Sequence, residues 1–144
     1  MGFRLVLVLL AATLVGCGGG DQQPEDVIRG WADTLRAGDV DAAADRFAVP
    51  SRVANGGPPE RLTTRAAVRS FNAALPCGAR LEGTQEDDDG FVIATFRLTA
   101  RRGGTDCGEG RGAIARVAIR VRDGKITDWL RADDRPAAGP TVDT

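Results

Sequence analysis

The sequence predicts one α+β domain in which three helices come first and four antiparallel strands follow. The apolar residues recur with a helical period up to Pro76 and alternate after it. Short polar turns separate the alternating segments, as in consecutive hairpins. Residues 1–16 are interpreted below as a leader that is removed. The remaining residues, 17–144, have the length of a single domain.

The first predicted helix begins at Pro24, a residue that is well tolerated at the first helical position. Glu25 and Asp26 in its first turn favour the positive end of the helix dipole. One face of this helix is apolar, and Gly38 follows as a stop signal. That face comprises Val27, Ile28, Trp31 and Leu35.

Two further helices are predicted before Pro76. Asp39 caps a second helix that runs through Phe47 and is ended by Pro50. A loop that contains Asn55-Gly56-Gly57-Pro58-Pro59 leads to a third helix, for which Thr63 or Thr64 is the cap. The buried positions of these two helices are Val40, Ala43, Phe47, Ala67, Val68, Phe71 and Leu75.

The four predicted strands are 79–86, 91–102, 112–122 and 125–131. Asp123 and Gly124 make the tight turn between the last two strands. Alternation turns Val92, Ala94, Phe96, Leu98 and Ala100, and then Ala115, Val117, Ile119 and Val121, toward the helices. Five arginines point the other way, namely Arg97, Arg101, Arg116, Arg120 and Arg122, and Arg80, Glu82, Thr84 and Glu86 share their face.

The N-terminus combines Arg4 with an apolar run over Leu5–Val15 that ends in Leu14-Val15-Gly16-Cys17. This ending resembles the lipobox of bacterial lipoproteins. The resemblance implies a signal peptide over 1–16, a diacylglyceryl group on the Cys17 sulfur, and cleavage just before Cys17. Residues 17–23 are then a flexible tether, and 135–144 a disordered tail.

Two alternatives exist for this N-terminal segment. A run of this length spans about 16 Å as a helix, roughly half of a bilayer core, which disfavours a transmembrane helix. An ordinary secretory signal would leave Cys17 as an unpaired thiol. The lipoprotein interpretation is preferred because it also accounts for the cysteine count: Cys77 and Cys107 remain as a pair, which outside the cytoplasm favours a disulfide.

Composition excludes several other functions. The formal net charge is −1, and no long basic run indicates nucleic-acid binding. The chain has no histidine, so the commonest zinc ligand and the commonest general base are missing, and no metal or cofactor is expected. Asp87-Asp88-Asp89-Gly90 lacks the alternate spacing of a calcium loop and is interpreted as a hairpin turn.

From Pro24 to about residue 134 the chain resembles the nuclear transport factor 2-like superfamily, which includes ketosteroid isomerases and polyketide cyclases. The resemblance rests on Trp31-Ala32-Asp33-Thr34-Leu35, Gly38-Asp39, Phe47-Ala48, the helix over 64–75, and Arg122-Asp123-Gly124-Lys125-Ile126 leading to Trp129. It implies a cone, formed by a strongly bent sheet with the helices on its concave side around a pocket. Enzymes, binding modules and accessory domains all use this fold.

Enzymes of this superfamily place an acid inside the cone, often with a tyrosine or a histidine, and this chain contains neither. Asp33 is on the solvent side of the first helix, so Asp128 and Asp133 are the candidate pocket acids. Trp31, Phe47, Phe71 and Phe96 are interpreted as core residues or as the lining of a ligand cavity. The arginine face is interpreted as a solvated surface or as a contact for an anionic partner.

Together these features predict a lipoprotein that is anchored to the cell membrane on its extracytoplasmic side. Its domain is expected to bind a small apolar ligand or an envelope component without catalysis. The alternative is an extracytoplasmic isomerase or cyclase that uses a pocket aspartate. A third possibility is an accessory domain that pairs with a second copy through its sheet.

Overall fold

The computed structural model describes residues 22–104 and 106–132. These residues form an α+β fold of three helices and a curved six-stranded sheet. The helices are α1 (Pro24–Arg36), α2 (Val40–Asp45) and α3 (Arg65–Ala74). The strands are β1 (Phe47–Ala54), β2 (Glu60–Leu62), β3 (Gly78–Glu86), β4 (Phe91–Thr99), β5 (Ile114–Arg122) and β6 (Lys125–Arg131).

The strands are ordered β2-β1-β6-β5-β4-β3 across the sheet. The predicted four-stranded meander is present as β3 to β6, and each of its neighbouring pairs is antiparallel. β1 runs parallel to β6 and antiparallel to β2. β6, the last strand within the described residues, therefore lies inside the sheet, between β1 and β5.

The prediction for residues 39–62 is wrong in two respects. α2 ends at Asp45, so Phe47 begins a strand instead of closing a helix, and the expected loop contains β2. A proline cannot donate to a strand ladder and is normally confined to sheet edges or bulges, so Pro50 argued against a strand here. The β1–β6 register shifts between Phe47 and Arg52, and this irregularity is where the proline is accommodated.

The starts of α2 and α3 and the ends of α1 and α3 follow the sequence signals. The Asp39 side chain accepts a hydrogen bond from the Ala42 amide at 2.9 Å, and Thr64 Oγ1 accepts one from the Ala67 amide at 3.1 Å. Leu75 is already extended (ψ 121°), as expected for the residue that precedes a proline. Gly38 adopts φ 84°, and a Cβ there would collide with the Arg102 carbonyl oxygen.

The main core lies between the helices and one face of the sheet. Trp31 is its largest fully buried side chain, and its ring makes edge-to-face contacts with Phe47, Phe96 and Trp129 at 5.8–6.3 Å between centroids. Phe71 contacts both Phe47 and Trp129. The side chains of this core run from Val27 to Trp129 and pack on one another, so residues 22–132 contain a core of their own.

A second, smaller apolar cluster lies on the opposite face of the sheet. It consists of Ala54, Phe91, Ala118 and Leu130, with Ile93 packed against it. Leu130 pairs with Ala54 on one side and Ala118 on the other, and Ala118 pairs with Ile93, so the cluster crosses four adjacent strands. We call this side of the sheet, away from the helices, the outer face.

A disulfide joins Cys77, just before β3, to Cys107 in the connection between β4 and β5. The bond is the pairing expected from the cysteine count, and it encloses a sequence separation of 30 residues. None of the helices within 22–104 and 106–132 is long and apolar enough to span a bilayer.

Candidate functional site

An apolar pocket of about 170 Å³ opens at the edge of the main core, between α1, the α3–β3 connection and the inner face of the sheet. Its buried walls are formed by Trp31, Leu35, Leu75, Ala79, Phe96, Val117 and Trp129. Half-buried Cys77, Leu98 and Ala115 continue these walls toward solvent. Exposed Asn55, Pro76 and Arg131 form the mouth.

Alternation along three strands builds the walls. Phe96 on β4 and Val117 on β5 follow the predicted inward pattern, and Trp129 points inward on β6. α1 supplies Trp31 and Leu35 from successive turns of the face that packs on the sheet. The pocket is thus a gap in the core beside the aromatic cluster, not a separate cleft.

Two of the four predicted lining residues, Trp31 and Phe96, lie in the pocket wall. Phe47 and Phe71 pack behind Trp31 and Trp129 instead, because β1 carries Phe47 to the far side of the aromatic cluster. Trp129 was missed as a lining residue. The alternation of β6, together with an aromatic in a short final strand, was the signal for it.

The polar part of the mouth is built by the parallel pairing of β1 with β6. Ala54, the last residue of β1, is in register with Leu130, and Arg131 follows Leu130 on β6. Leu130 lies on the outer face, so alternation turns Arg131 toward the pocket, and Asn55, which follows β1, also lines it. An amide and a guanidinium therefore both contribute to the mouth of an otherwise apolar cavity.

The prediction of Asp128 as a pocket acid is wrong. Asp128 is 7% exposed and lies on the outer face, because Trp129 takes the inward position beside it. Its carboxylate accepts a hydrogen bond from Arg52 Nε at 2.8 Å and one from Thr127 Oγ1 at 2.9 Å, and Arg120 Nη1 lies 3.6 Å away. Asp133, the other candidate acid, lies outside the described residues.

The predicted arginine face is only partly present. Arg101 does not belong to it: its guanidinium donates to the carbonyl oxygens of Asn72 and Ala73 at the end of α3. Arg120 is not in water either, because its guanidinium carbon lies 4.0 Å from the ring centroid of Phe91 and its side chain is 20% exposed. Arg97 is paired with Glu82 at 2.6 Å. Arg116 and Arg122 are exposed.

A register shift between Leu81 and Gly83 explains a further difference on β3. Beyond this bulge Thr84 is opposite Ala94, a core residue, and donates to the Glu25 carboxylate of α1 at 3.0 Å. Thr84 therefore lies on the helix side of the sheet and not with the arginines, because an extra residue reverses the alternation. No regular period in the sequence indicates this bulge.

Other candidate groups are structural. Asp88–Gly90 form one short turn of 3₁₀ helix between β3 and β4, and no group of three or more acidic or cysteine side chains in the described part of the chain is placed to hold a metal ion. Asp33 is exposed and pairs with Arg36 at 3.0 Å. Cys17 and the predicted signal peptide and tail lie outside the described residues.

The fold is that of nuclear transport factor 2-like proteins. A candidate polyketide cyclase from Sinorhizobium meliloti is similar with a TM-score of 0.58 and 16% identity over 74% of this chain and 93% of that one. A nuclear transport factor 2-like protein of unknown function from Cytophaga hutchinsonii has a TM-score of 0.57 and 11% identity over 74% and 86%.

A second candidate polyketide cyclase, from Xanthomonas campestris pv. campestris, has a TM-score of 0.50 and 24% identity over 74% and 87%. The amino-acid sequence itself matches no protein-family model and no curated protein. At these identities the likeness concerns the fold alone.

Proposed function

We propose, on the premise of a nuclear transport factor 2-like fold, that the chain is a lipid-anchored extracytoplasmic lipoprotein whose domain binds a small apolar ligand without catalysing a reaction. The observation that carries this proposal is the pocket of about 170 Å³ with aromatic and aliphatic walls. Pockets for small molecules are concave and mostly apolar, with a few polar groups that fix orientation.

The chemistry of the lining supports binding over catalysis. The pocket residues within the described part of the chain include no carboxylate, and the sequence has neither histidine nor tyrosine. Asp128 is held on the opposite face of the sheet by Arg52 and Arg120. Of the two candidate pocket acids, Asp133 is then the one left for an isomerase or cyclase mechanism.

The membrane anchor is supported by the sequence before the domain. Leu14-Val15-Gly16-Cys17 has the form of a lipobox, and the segment that follows is rich in glycine. The Cys77–Cys107 disulfide is in keeping with an oxidising compartment outside the cytoplasm. Two acyl chains on Cys17 would hold the protein stably at the membrane surface.

The ligand proposal is tested with a soluble form, residues 18–144, that lacks the lipid anchor. Purified from its bacterial host and examined by native mass spectrometry, it should carry a bound small molecule that organic solvent releases. Ala115→Phe places a ring in the pocket and should abolish binding. Ala113→Phe is the matched control, because Ala113 is exposed and outside the pocket lining. Equal ligand occupancy in both variants would contradict the proposal.

A further inference from the structure

We propose that the pocket opens away from the membrane, so that its ligand is a water-soluble small molecule taken up from the aqueous phase and not a lipid drawn from the bilayer. This inference rests on the proposed function and deepens it. Two features carry it. The anchored N-terminus and the pocket mouth lie at opposite ends of the domain, and the pocket is small.

The N-terminus enters the domain beside the turn between β5 and β6. Gln22 lines one cleft together with the residues of this turn, Asp123, Gly124 and Lys125. A Cβ on Gly124 would lie 3.6 Å from Gln22 Oε1, and α1 begins two residues later, at Pro24. We call this the anchor end of the domain, because the segment that leads to the proposed lipid is attached here.

The mouth of the pocket lies at the other end. Asn55 follows the last residue of β1, Pro76 precedes β3, and Arg131 is the last residue of β6. α1 reaches this end with its C-terminus, where Arg36 Nη1 donates to the carbonyl oxygen of Ala79 in the pocket wall at 3.2 Å. We call this the mouth end.

Two elements connect the two ends and give the same distance between them. β6 begins at Lys125 beside Gln22 and ends at Arg131 in the mouth, and its 7 residues cover about 20 Å. α1 runs in the same direction over 13 residues, which is about 20 Å of helix. The mouth is therefore about 20 Å from the point at which the N-terminus enters.

The segment between this point and the proposed lipid is short. Gln22 is five residues after Cys17, and a fully extended chain of that length spans at most about 18 Å. An inverted domain, with its mouth on the bilayer, would hold Gln22 about 20 Å above the membrane surface. The segment does not reach that far, so the mouth faces away from the membrane.

The other orientation that the charges favour leads to the same result. Arg116 and Arg122 are exposed on the outer face, whereas the pocket lies on the helix side of the sheet. If these arginines draw the outer face onto an anionic membrane, the domain lies on its side, and the mouth still opens to water.

The volume of the pocket also disfavours a lipid. A cavity of about 150 Å³ with aliphatic and aromatic walls holds one benzene molecule. The present pocket of about 170 Å³ thus holds a single ring or a short branched chain. A lipid acyl chain crosses half of the hydrocarbon core, about 15 Å, and is too long for this pocket.

The orientation is tested on the lipidated protein in phosphatidylcholine vesicles, which do not attract the arginines of the outer face. A fluorescent donor is attached to Asn55→Cys at the mouth end or to Asp26→Cys at the anchor end, and a rhodamine-labelled lipid is the acceptor. Both positions are exposed, and Cys77 and Cys107 do not react because they are disulfide-bonded. Energy transfer should place the donor at residue 55 roughly 20 Å further from the membrane surface.

The source of the ligand is tested with two brominated probes. Bromine quenches tryptophan fluorescence at short range, and both tryptophans of the chain line the pocket. 4-Bromobenzyl alcohol presents one ring from water, and dibromostearoyl phosphatidylcholine presents bromine from the bilayer. The alcohol should quench the vesicle-anchored protein and soluble residues 18–144 with the same affinity, and the brominated lipid should not quench the anchored protein.

The variants that test ligand binding serve here as well. Ala115→Phe fills the pocket and should abolish quenching by the alcohol, whereas Ala113→Phe should retain it.

Equal distances of the two donors from the membrane, or a closer donor at the mouth end, would overturn the inference and leave the proposed function standing. Quenching by the brominated lipid that Ala115→Phe removes would overturn it as well, because the pocket would then be filled from the bilayer. If the alcohol quenches neither form, or if Cys17 carries no lipid, the proposed function itself fails and the inference fails with it.

Discussion

Asn72 is a fully buried polar side chain among apolar neighbours. Its Oδ1 accepts a hydrogen bond from Trp31 Nε1 at 2.8 Å, and its Nδ2 donates to the Val68 carbonyl oxygen at 2.9 Å. The pair fixes the position of the Trp31 indole, which forms one wall of the pocket. A buried donor that loses its acceptor carries the full cost of its desolvation.

Asn72→Ala should therefore lower the free energy of unfolding by roughly 1–3 kcal/mol, because the Trp31 N–H is left without an acceptor. Urea denaturation followed by circular dichroism measures this loss. The control is Asn55→Ala, which changes an exposed asparagine and should stay within about 0.5 kcal/mol of the unmutated protein. Similar losses of unfolding free energy in both variants would show that the hydrogen bond between Trp31 and Asn72 does not stabilise the fold.

Glu25 lies at the start of α1, where Arg29 and then Thr84 donate hydrogen bonds to its carboxylate. These bonds, together with the positive charge of Arg29, hold the pKa of Glu25 below its ordinary value of 4.5, although desolvation opposes them. A carboxyl whose folded-state pKa is lowered contributes stability above its unfolded pKa, and that contribution disappears as the pH falls through the folded pKa.

A carbon NMR titration of the Glu25 carboxyl group should thus give a midpoint below 4.5, and Arg29→Ala should raise it. Arg65→Ala removes an exposed arginine that pairs with Asp45 instead, and it should leave the midpoint where it is. A Glu25 midpoint that is insensitive to Arg29 would contradict the assignment of the hydrogen bond.

At the level of elements, the four later strands and all three helix starts could be predicted from the sequence. Alternation and capping residues depend on neighbours within a few positions, which the sequence displays directly. β1 and β2 could not be predicted, because Pro50 stands inside β1 and the partner strand of β1 is β6, far away along the chain. The same distance explains why Asn55 and Arg131 were missed at the pocket mouth.

The Cys77–Cys107 disulfide connects the pocket wall just before β3 to the β4–β5 connection. For a loop of about thirty residues the chain-entropy model gives roughly 3–4 kcal/mol of stabilisation. Reduction with dithiothreitol should accordingly lower the free energy of unfolding by that amount, as measured by urea denaturation.

The double variant Cys77→Ser/Cys107→Ser should have the stability of the reduced protein and should not respond to dithiothreitol. Two free thiols in the denatured, unreduced domain would show that the bond does not form. An unchanged denaturation midpoint after complete reduction would show that the bond forms without stabilising the fold.

For the whole molecule, the proposed membrane anchor depends on a single side chain. Cys17→Ser removes the sulfur to which a diacylglyceryl group would be attached, so the variant should not incorporate a fatty-acid analogue that labels the unmutated protein. Cys77→Ser serves as the control, because it removes a cysteine of the folded domain and should leave labelling intact. Continued labelling of the Cys17 variant would contradict the proposed anchor.

The outer face contains exposed arginines that would favour contact with an anionic membrane surface under the proposed anchor. Arg116 and Arg122 on β5 are exposed there, and each basic residue close to an anionic surface gains about 1 kcal/mol. We expect Arg116→Gln/Arg122→Gln to weaken binding of the soluble domain to phosphatidylglycerol vesicles about thirtyfold at low salt.

The matched control is Arg29→Gln/Arg69→Gln, which removes the same charge from α1 and α3. Both of these arginines take part in exposed ion pairs, which contribute little to stability. Vesicle binding that does not depend on salt would contradict a role for the outer-face arginines in membrane contact. Equal losses of vesicle affinity in the two double variants would contradict it as well, and these arginines would then be an ordinary solvated surface.

The interior position of β6 has a consequence for the order in which the chain acquires its structure. The N-terminal half supplies β1, but its parallel partner β6 is the last of the described strands, so this pairing cannot be completed before residue 130 has been released. Such long-range pairings are formed late and slowly. If the chain is exported from its N-terminus, as the proposed anchor requires, it would remain incompletely folded until transit is nearly finished, and folding and release would coincide on the far side.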